Sequence, residues 1–300
     1  MLFTQSLQLC LRMRLLLRRP NETYKIKAKK ELAPKEKLFE VEAPDIAAKA
    51  KPGQFVILVI GEKGERIPLT ICDYDRAKGT VSFAFHEVGK TTKELGTLCE
   101  GDCLENLTGP LGNPSEIKKY GKVLCVGGSI MIAPLLLQAK AMKEAGNKVT
   151  TVLGARIEDV LFMEEEAKAL SDKLYVATDD GSKGYKGLDF LNGILKNEKF
   201  DRCITMGPVV MMKTVSEITE PFGIPTIVTL TPLMVDGMGM CGVCRVTVAG
   251  KMQFACVDGP EFDGHQVDFE ELVKRQRMFL PEERLNSVLW EIGGCKCGRD

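Results

Sequence analysis

The chain has 300 residues, 44 % of them hydrophobic, which is room for two or three folded domains. Its 41 basic and 41 acidic residues balance, so the electrostatic footprint of a nucleic-acid binder is missing. No apolar run reaches the roughly 18–20 residues of a membrane span, and eleven cysteines scattered through so long a chain indicate a reducing cytoplasm rather than a disulfide scaffold.

Residues 1–20 mix leucine and arginine without a single acid, like a targeting peptide. Arginines interrupt the apolar stretches and no small-residue cleavage site follows, so residues 1–23 read as an N-terminal extension.

From 24 to 118 the pattern is short strands and turns. Residues 39–43, 54–60, 66–72 and 80–88 are rich in valine, isoleucine and phenylalanine, bounded by Pro52-Gly53, Gly61, Gly64 and Lys78-Gly79. This predicts an antiparallel β-barrel, with Val81, Phe83 and Phe85 on its buried face. In Arg66-Ile-Pro68-Leu69-Thr70-Ile71, the arginine can supply charge to a diphosphate and the threonine a hydroxyl to a flavin edge. Val88-Gly89-Lys90-Thr91-Thr92 opens a helix whose free N–H groups suit phosphate oxygens. Taken singly, Arg66 also reads as a surface charge and the second run as an ordinary helix cap.

Between 119 and 224 apolar runs alternate with helical segments, predicting strands at 123–126, 149–153, 174–178 and 203–206 and helices at 132–145 and 164–170. Such alternation gives an α/β doubly wound parallel sheet. Val126-Gly127-Gly128-Ser129 lies between a strand and the helix beginning near Ala133-Pro134, the context of a dinucleotide loop, although the full G-x-G-x-x-G is absent. Gly154-Ala155-Arg156, Thr178-Asp179-Asp180-Gly181 and Met206-Gly207-Pro208 also fall at C-terminal strand ends, where ligands of open α/β sheets gather. Arg156, at the end of the second strand where an acid favours NAD, by itself hints at NADP.

The segment 225–300 carries Asp236-Gly-Met-Gly-Met-Cys241-Gly-Val-Cys244 and then Cys256. With Asp236 counted as a ligand, this is plant-type [2Fe-2S] spacing. A structural zinc site and reduced cysteines in a simple turn are the competing readings. A hairpin is expected over 245–254, and the amphipathic stretch 269–279 either docks a partner or packs on its own domain. Cys295 and Cys297, in the glycine-rich tail, read as unligated.

Barrel, nucleotide domain and cluster run in this order resemble the ferredoxin-NADP reductase superfamily, in the branch of dihydroorotate dehydrogenase electron transfer subunits. The resemblance covers about residues 24–270 and rests on Pro52-Gly-Gln-Phe55, 66–71, Gly109-Pro-Leu-Gly112, 127–134, Thr178-Asp-Asp-Gly-Ser182, Met206-Gly-Pro208 and the cluster run. Asp236, where those subunits carry cysteine, and Glu65-Arg66-Ile-Pro-Leu-Thr-Ile71 are more similar to the small subunits of NADH-dependent reduced ferredoxin:NADP oxidoreductases, the electron-bifurcating (sulfide dehydrogenase) type.

The resemblance implies FAD in the barrel, with Thr70 near the isoalloxazine edge. It further implies NAD(H) on the sheet domain, where Gly207-Pro208 admits the nicotinamide ribose, and a [2Fe-2S] cluster on Asp236, Cys241, Cys244 and Cys256. A larger partner subunit would carry a second flavin, further clusters, the NADP(H) site and the contact with ferredoxin. Two departures stand out: Arg66 lies four residues before Thr70 where many relatives have three, and Thr91 replaces the usual glycine.

Overall fold

Bulky residues at alternate strand positions between 24 and 111 build one antiparallel sheet. The computed structural model describes residues 24–62 and 64–292, so the N-terminal extension and the tail cysteines Cys295 and Cys297 lie outside the described residues. The first elements are β1 (Tyr24–Ala33), β2 (Glu36–Glu42), α1 (Pro44–Ala47), β3 (Phe55–Val59), β4 (Ile67–Asp75) and β5 (Thr80–His86). They continue through α2 (Lys90–Thr97), β6 (Cys103–Leu104) and β7 (Asn106–Leu111). The strands form a seven-stranded sheet in the order β6-β1-β2-β5-β4-β3-β7, curled into a barrel. Phe39 stands opposite Phe83 and Val41 opposite Val81. All four are fully buried, and Phe39 meets Phe85 edge-to-face at 5.0 Å. Each such phenylalanine contributes roughly 1.5–3 kcal/mol by leaving water.

Strand β4 sets the phase that matters for function. Ile67, Leu69 and Ile71 turn into the barrel core, which by two-residue periodicity directs Pro68 and Thr70 to the other face.

The second sheet is built of β8 (Lys122–Gly128), β9 (Lys148–Ala155), β10 (Lys173–Thr178), β11 (Tyr185–Lys186), β12 (Arg202–Met206) and β13 (Thr226–Thr229), all parallel. Its helices are α3 (Ile132–Glu144), α4 (Glu164–Leu170), α5 (Phe190–Asn197) and α6 (Val209–Thr219). Strand order β11-β10-β9-β8-β12-β13, followed at the edge by β16 (Glu261–Asp263), reverses between β8 and β12, the topological switch point of a doubly wound sheet. The sheet runs on past residue 224. Strand β13 belongs to it, and β16 (Glu261–Asp263), beyond the cysteine loop, closes its edge antiparallel to β13.

Strands β14 (Arg245–Val248) and β15 (Lys251–Phe254) form the hairpin of the cysteine segment, turning through Ala249 and Gly250 at φ 52° and 71°. Positive φ at both positions is the twist-matched two-residue turn. Next come α7 (Phe269–Gln276) and α8 (Leu280–Ile292). The Asp268 carboxylate caps α7 by accepting the Glu271 N–H at 2.9 Å, and Phe269 and Leu272 pack into a core that also holds Phe55, Ile57, Val209 and Met212. Helix α7 thus packs on residues from all three parts of the chain, while Met278 and Phe279 remain exposed.

Candidate functional site

At the switch point the strand ends leave a cavity of about 280 Å³. Gly128, Ser129, Gly154, Ala155, Arg156, Asp179 and Pro208 line it, so the four glycine-bearing loops meet in space. The tip of Met211 from α6 lies against two of these glycines: a Cβ on Gly128 would come within 2.4 Å of the Met211 sulfur, and one on Gly207 within 2.5 Å of its methyl. Gly127 instead faces Leu135, and Ala133, Pro134 and Met206 are buried beneath the cavity rather than in its wall. Asp180 and Gly181 occupy the exposed turn outside. There the Asp180 carboxylate accepts the Ser182 N–H at 2.9 Å and its hydroxyl at 2.7 Å, which hold it below the usual carboxylate range.

Ala177, Gly187, Leu188, Val210, Met211 and Thr214 complete the wall and were not expected from sequence. The usable signal was Val210, Met211 and Thr214, which open the helix after Gly207-Pro208 on one face.

A second cavity, of about 210 Å³, separates the barrel from the segment after β13. Pro68 and Thr70 line it from β4 with Phe55 from β3; Thr229, Leu230, Thr231, Pro232 and Met234 face them, with Pro260. The buried Thr229 hydroxyl oxygen has no hydrogen-bond partner. Leu69 and Ile71 belong to the barrel core, as their phase requires.

Arg66 reaches neither cavity. Its Nε donates to the Val235 carbonyl at 2.8 Å and its Nη2 to that of Asp236 at 3.4 Å, so it ties the barrel to the cysteine loop. Starting one residue earlier than in the usual spacing places this arginine at the strand entrance instead of along the cavity wall.

Val88, Gly89, Lys90, Thr91 and Thr92 line a third cavity, of about 450 Å³, whose opposite wall is α8 with Leu280, Glu283, Arg284, Asn286 and Ser287. Thr92 Oγ1 accepts the N–H groups of Val88 and Gly89 at 3.1 and 3.2 Å, while the Thr91 hydroxyl donates to Glu65. Lys93 holds α8 in place through Ser287 at 2.7 Å and Glu291 at 2.5 Å.

The cysteine loop follows directly on the second cavity. Cys244 and Cys256 are buried with their sulfurs 3.2 Å apart, whereas Cys241 is exposed. Burial, then the adjacent Cys244, pushes the Cys256 thiol up to about 12. Asp236 Oδ1 accepts the Met238 N–H at 3.1 Å and Oδ2 those of Met240 and Cys241, both at 2.8 Å. Desolvation opposes its charge, but these donors outweigh it and hold the carboxyl below the usual range. Gly237, Gly239 and Gly242 sit at φ 74°, 82° and 66°, where a Cβ would be strained. Among the described residues no three His, Cys, Asp or Glu side chains converge as one metal ion would require. The four instead stand as two pairs, Asp236 beside Cys241 and Cys244 beside Cys256.

A barrel with a side cavity, a parallel sheet with a glycine-lined cavity at its switch point, and a cysteine loop next to both define a ferredoxin-reductase-like electron-transfer protein. The P450 reductase GcoB of Amycolatopsis shares this fold at 17 % identity and a TM-score of 0.56, over 66 % of this chain and 65 % of its own. The chain belongs to the family of dihydroorotate dehydrogenase B electron transfer subunits and their homologues. It is 51 % identical over 250 residues to the homologue from Thermotoga maritima, covering 83 % of this chain and 88 % of that one. It is 38 % identical over 222 residues to the probable subunit of Methanocaldococcus jannaschii, covering 73 % and 81 %. Residues 231–268 match the iron-sulfur cluster binding domain of dihydroorotate dehydrogenase B. A chain of the NADH-dependent reduced ferredoxin-NADP oxidoreductase, solved for insight into flavin-based electron bifurcation, superposes with a TM-score of 0.84 at 48 % identity, over 88 % of this chain and 96 % of that one.

Proposed function

We propose that this chain is the small flavin and iron-sulfur subunit of an electron-bifurcating NADH-dependent ferredoxin-NADP oxidoreductase, working in the cytoplasm beside a larger subunit that receives its electrons and contacts ferredoxin. FAD, NAD(H) and a [2Fe-2S] cluster are its cofactors. The observation that carries the reading is continuity: the residues 229–234 that wall the barrel cavity run straight into Asp236 of the cysteine loop.

The residues present fit the three groups. The unpartnered Thr229 hydroxyl, with Thr70 across the cavity, offers polar contacts to a flavin edge in otherwise apolar walls. Glycines at 128 and 154 leave backbone open to a dinucleotide. Two abutting buried thiols cannot both ionise without a cation, and iron supplies one. A two-iron cluster takes its ligands two per iron, which suits the two pairs. Of the aspartate oxygens, Oδ1 accepts one hydrogen bond and keeps a lone pair free, whereas Oδ2 accepts two.

Bound FAD would supply hydride acceptance from nicotinamide and one-electron release. The chain's own residues perform the remaining tasks. Phe55, Pro68, Leu230 and Met234 exclude water, Thr70 orients, and Gly207-Pro208 lets the nicotinamide ribose come close. Arg66 fixes the distance between barrel and cluster loop.

The test is to purify the native complex and assay NADPH oxidation coupled to reduction of ferredoxin and NAD⁺. Coupled reduction of both acceptors supports the proposal. A complex that instead oxidises dihydroorotate with NAD⁺ assigns the chain to the dihydroorotate dehydrogenase members of its family.

A further inference from the structure

Helix α8 presents its apolar face outward and its polar face inward. Leu285, Val288, Leu289 and Ile292 recur at spacings of three and four, so they share one face, and all are between 48 and 77 % exposed. No residue of the helix is buried. Its Glu283, Arg284, Asn286 and Ser287 instead line the cavity of about 450 Å³, opposite Val88, Gly89, Lys90, Thr91 and Thr92. A helix seated by hydrophobic burial would be turned the other way. Helix α8 is held by Lys93, through Ser287 and the exposed Glu291, and links of that exposed kind hold weakly.

The cavity beneath α8 lies one short stretch of chain away from the cavity that holds Thr70. Glu65 lines the first, and Pro68 and Thr70, three and five residues further on, line the second. At about 3.3 Å per residue the two are roughly 10–17 Å apart, within the span of one FAD that has its ring against Thr70 and its diphosphate and adenosine under α8. A diphosphate calls for cationic donors. Arg66 is engaged by the Val235 and Asp236 carbonyls. Lys90 and Arg284 line the cavity from opposite walls, and neither makes an ion pair or side-chain hydrogen bond among the described residues. Of the acids in the wall, Glu65 already accepts the Thr91 hydroxyl, and Glu283 precedes Arg284 on the helix. Resting on the FAD reading of the barrel, we propose that α8 is a movable wall of the flavin site. Its Arg284 supplies the diphosphate with the cation that Arg66 does not, and the Lys93 latch opens to let FAD pass.

The experiment measures flavin exchange on the full chain with its cluster loaded. Release is read from the recovery of free-flavin fluorescence on dilution and uptake from its quenching, with riboflavin, which lacks the phosphates and the adenosine, as the comparison ligand. Arg284→Gln releases FAD at least about tenfold faster than wild type, the loss of one hydrogen bond to a charged group, and binds riboflavin as wild type does. Lys93→Met accelerates uptake as well as release, because the wall lifts more often. FAD release at the wild-type rate in Arg284→Gln, or equal weakening of FAD and riboflavin, overturns the role of Arg284. Unchanged uptake in Lys93→Met overturns the latch. Wild type that takes up neither FAD nor riboflavin overturns the flavin reading on which both rest.

Discussion

Asp236 does two jobs with one carboxylate. It gathers three loop N–H groups, that of Cys241 among them, and these hold it charged as a hard oxygen donor next to the cysteines. Cysteine at this position supplies a softer donor and cannot accept those bonds as well. Asp236→Cys is therefore expected to retain the cluster while changing its electron paramagnetic resonance spectrum and potential; an identical spectrum would remove Asp236 from the ligand set. Thr70→Ala removes a hydroxyl from the cavity wall, and flavin affinity measured by fluorescence should fall about fivefold, equivalent to the loss of one hydrogen bond of about 1 kcal/mol. Glu36 is buried at 3 % exposure beside His86, its Oε2 unpartnered, and burial pushes its carboxyl from 4.5 up to about 7. The folded chain keeps a proton that the unfolded chain releases. This contribution to stability is therefore full below about pH 4.5 and is lost as the pH rises toward 7. In denaturant titrations at pH 8, Glu36→Gln should be more stable than wild type by roughly 1–3 kcal/mol, and should lack that slope.

Among the elements, those with a clean period were legible and those with mixed faces were not. β5 alternates Val81, Phe83 and Phe85, and α3 carries a long apolar run, so both were found within a residue or two. α5 escaped because Gly193 interrupts its short apolar pattern. α8 escaped because its apolar residues Leu285, Val288, Leu289 and Ile292 are exposed and pack nothing that the sequence could signal. The loops that meet at the switch-point cavity were legible through their glycines. Met211 and Leu188 were not, since an apolar residue in a cavity wall looks like any core residue until the fold is known. For α7, Phe269→Ala should cost about 3–4 kcal/mol in chemical denaturation. Loss of a copurifying partner with unchanged stability would instead make α7 a docking helix.

For the molecule as a whole, the serial reading of barrel, nucleotide unit and cluster segment understated how far the three interpenetrate. Phe55 and Ile57 of the barrel, Val209 and Met212 of the nucleotide sheet's helix, and Cys244, Cys256 and Phe269 share one core. The half-buried Glu261 carboxylate accepts the Ser115 hydroxyl at 2.5 Å and an N–H of Gln138, joining the cluster segment to both other parts. Sequence alone could not show this, because residues far apart in the chain carry no shared period. A shared core predicts that flavin release, loss of cluster absorbance and loss of helical circular dichroism coincide on heating; separated transitions would mean independent units.

The central claim is that one chain carries electrons from NADH through a flavin to its own cluster. Its most direct test is an anaerobic titration of the purified full-length holoprotein with NADH, followed by visible absorption and electron paramagnetic resonance. Bleaching of the flavin accompanied by the cluster's paramagnetic signal is the result predicted. Bleaching with no such signal, even after dithionite, would contradict it.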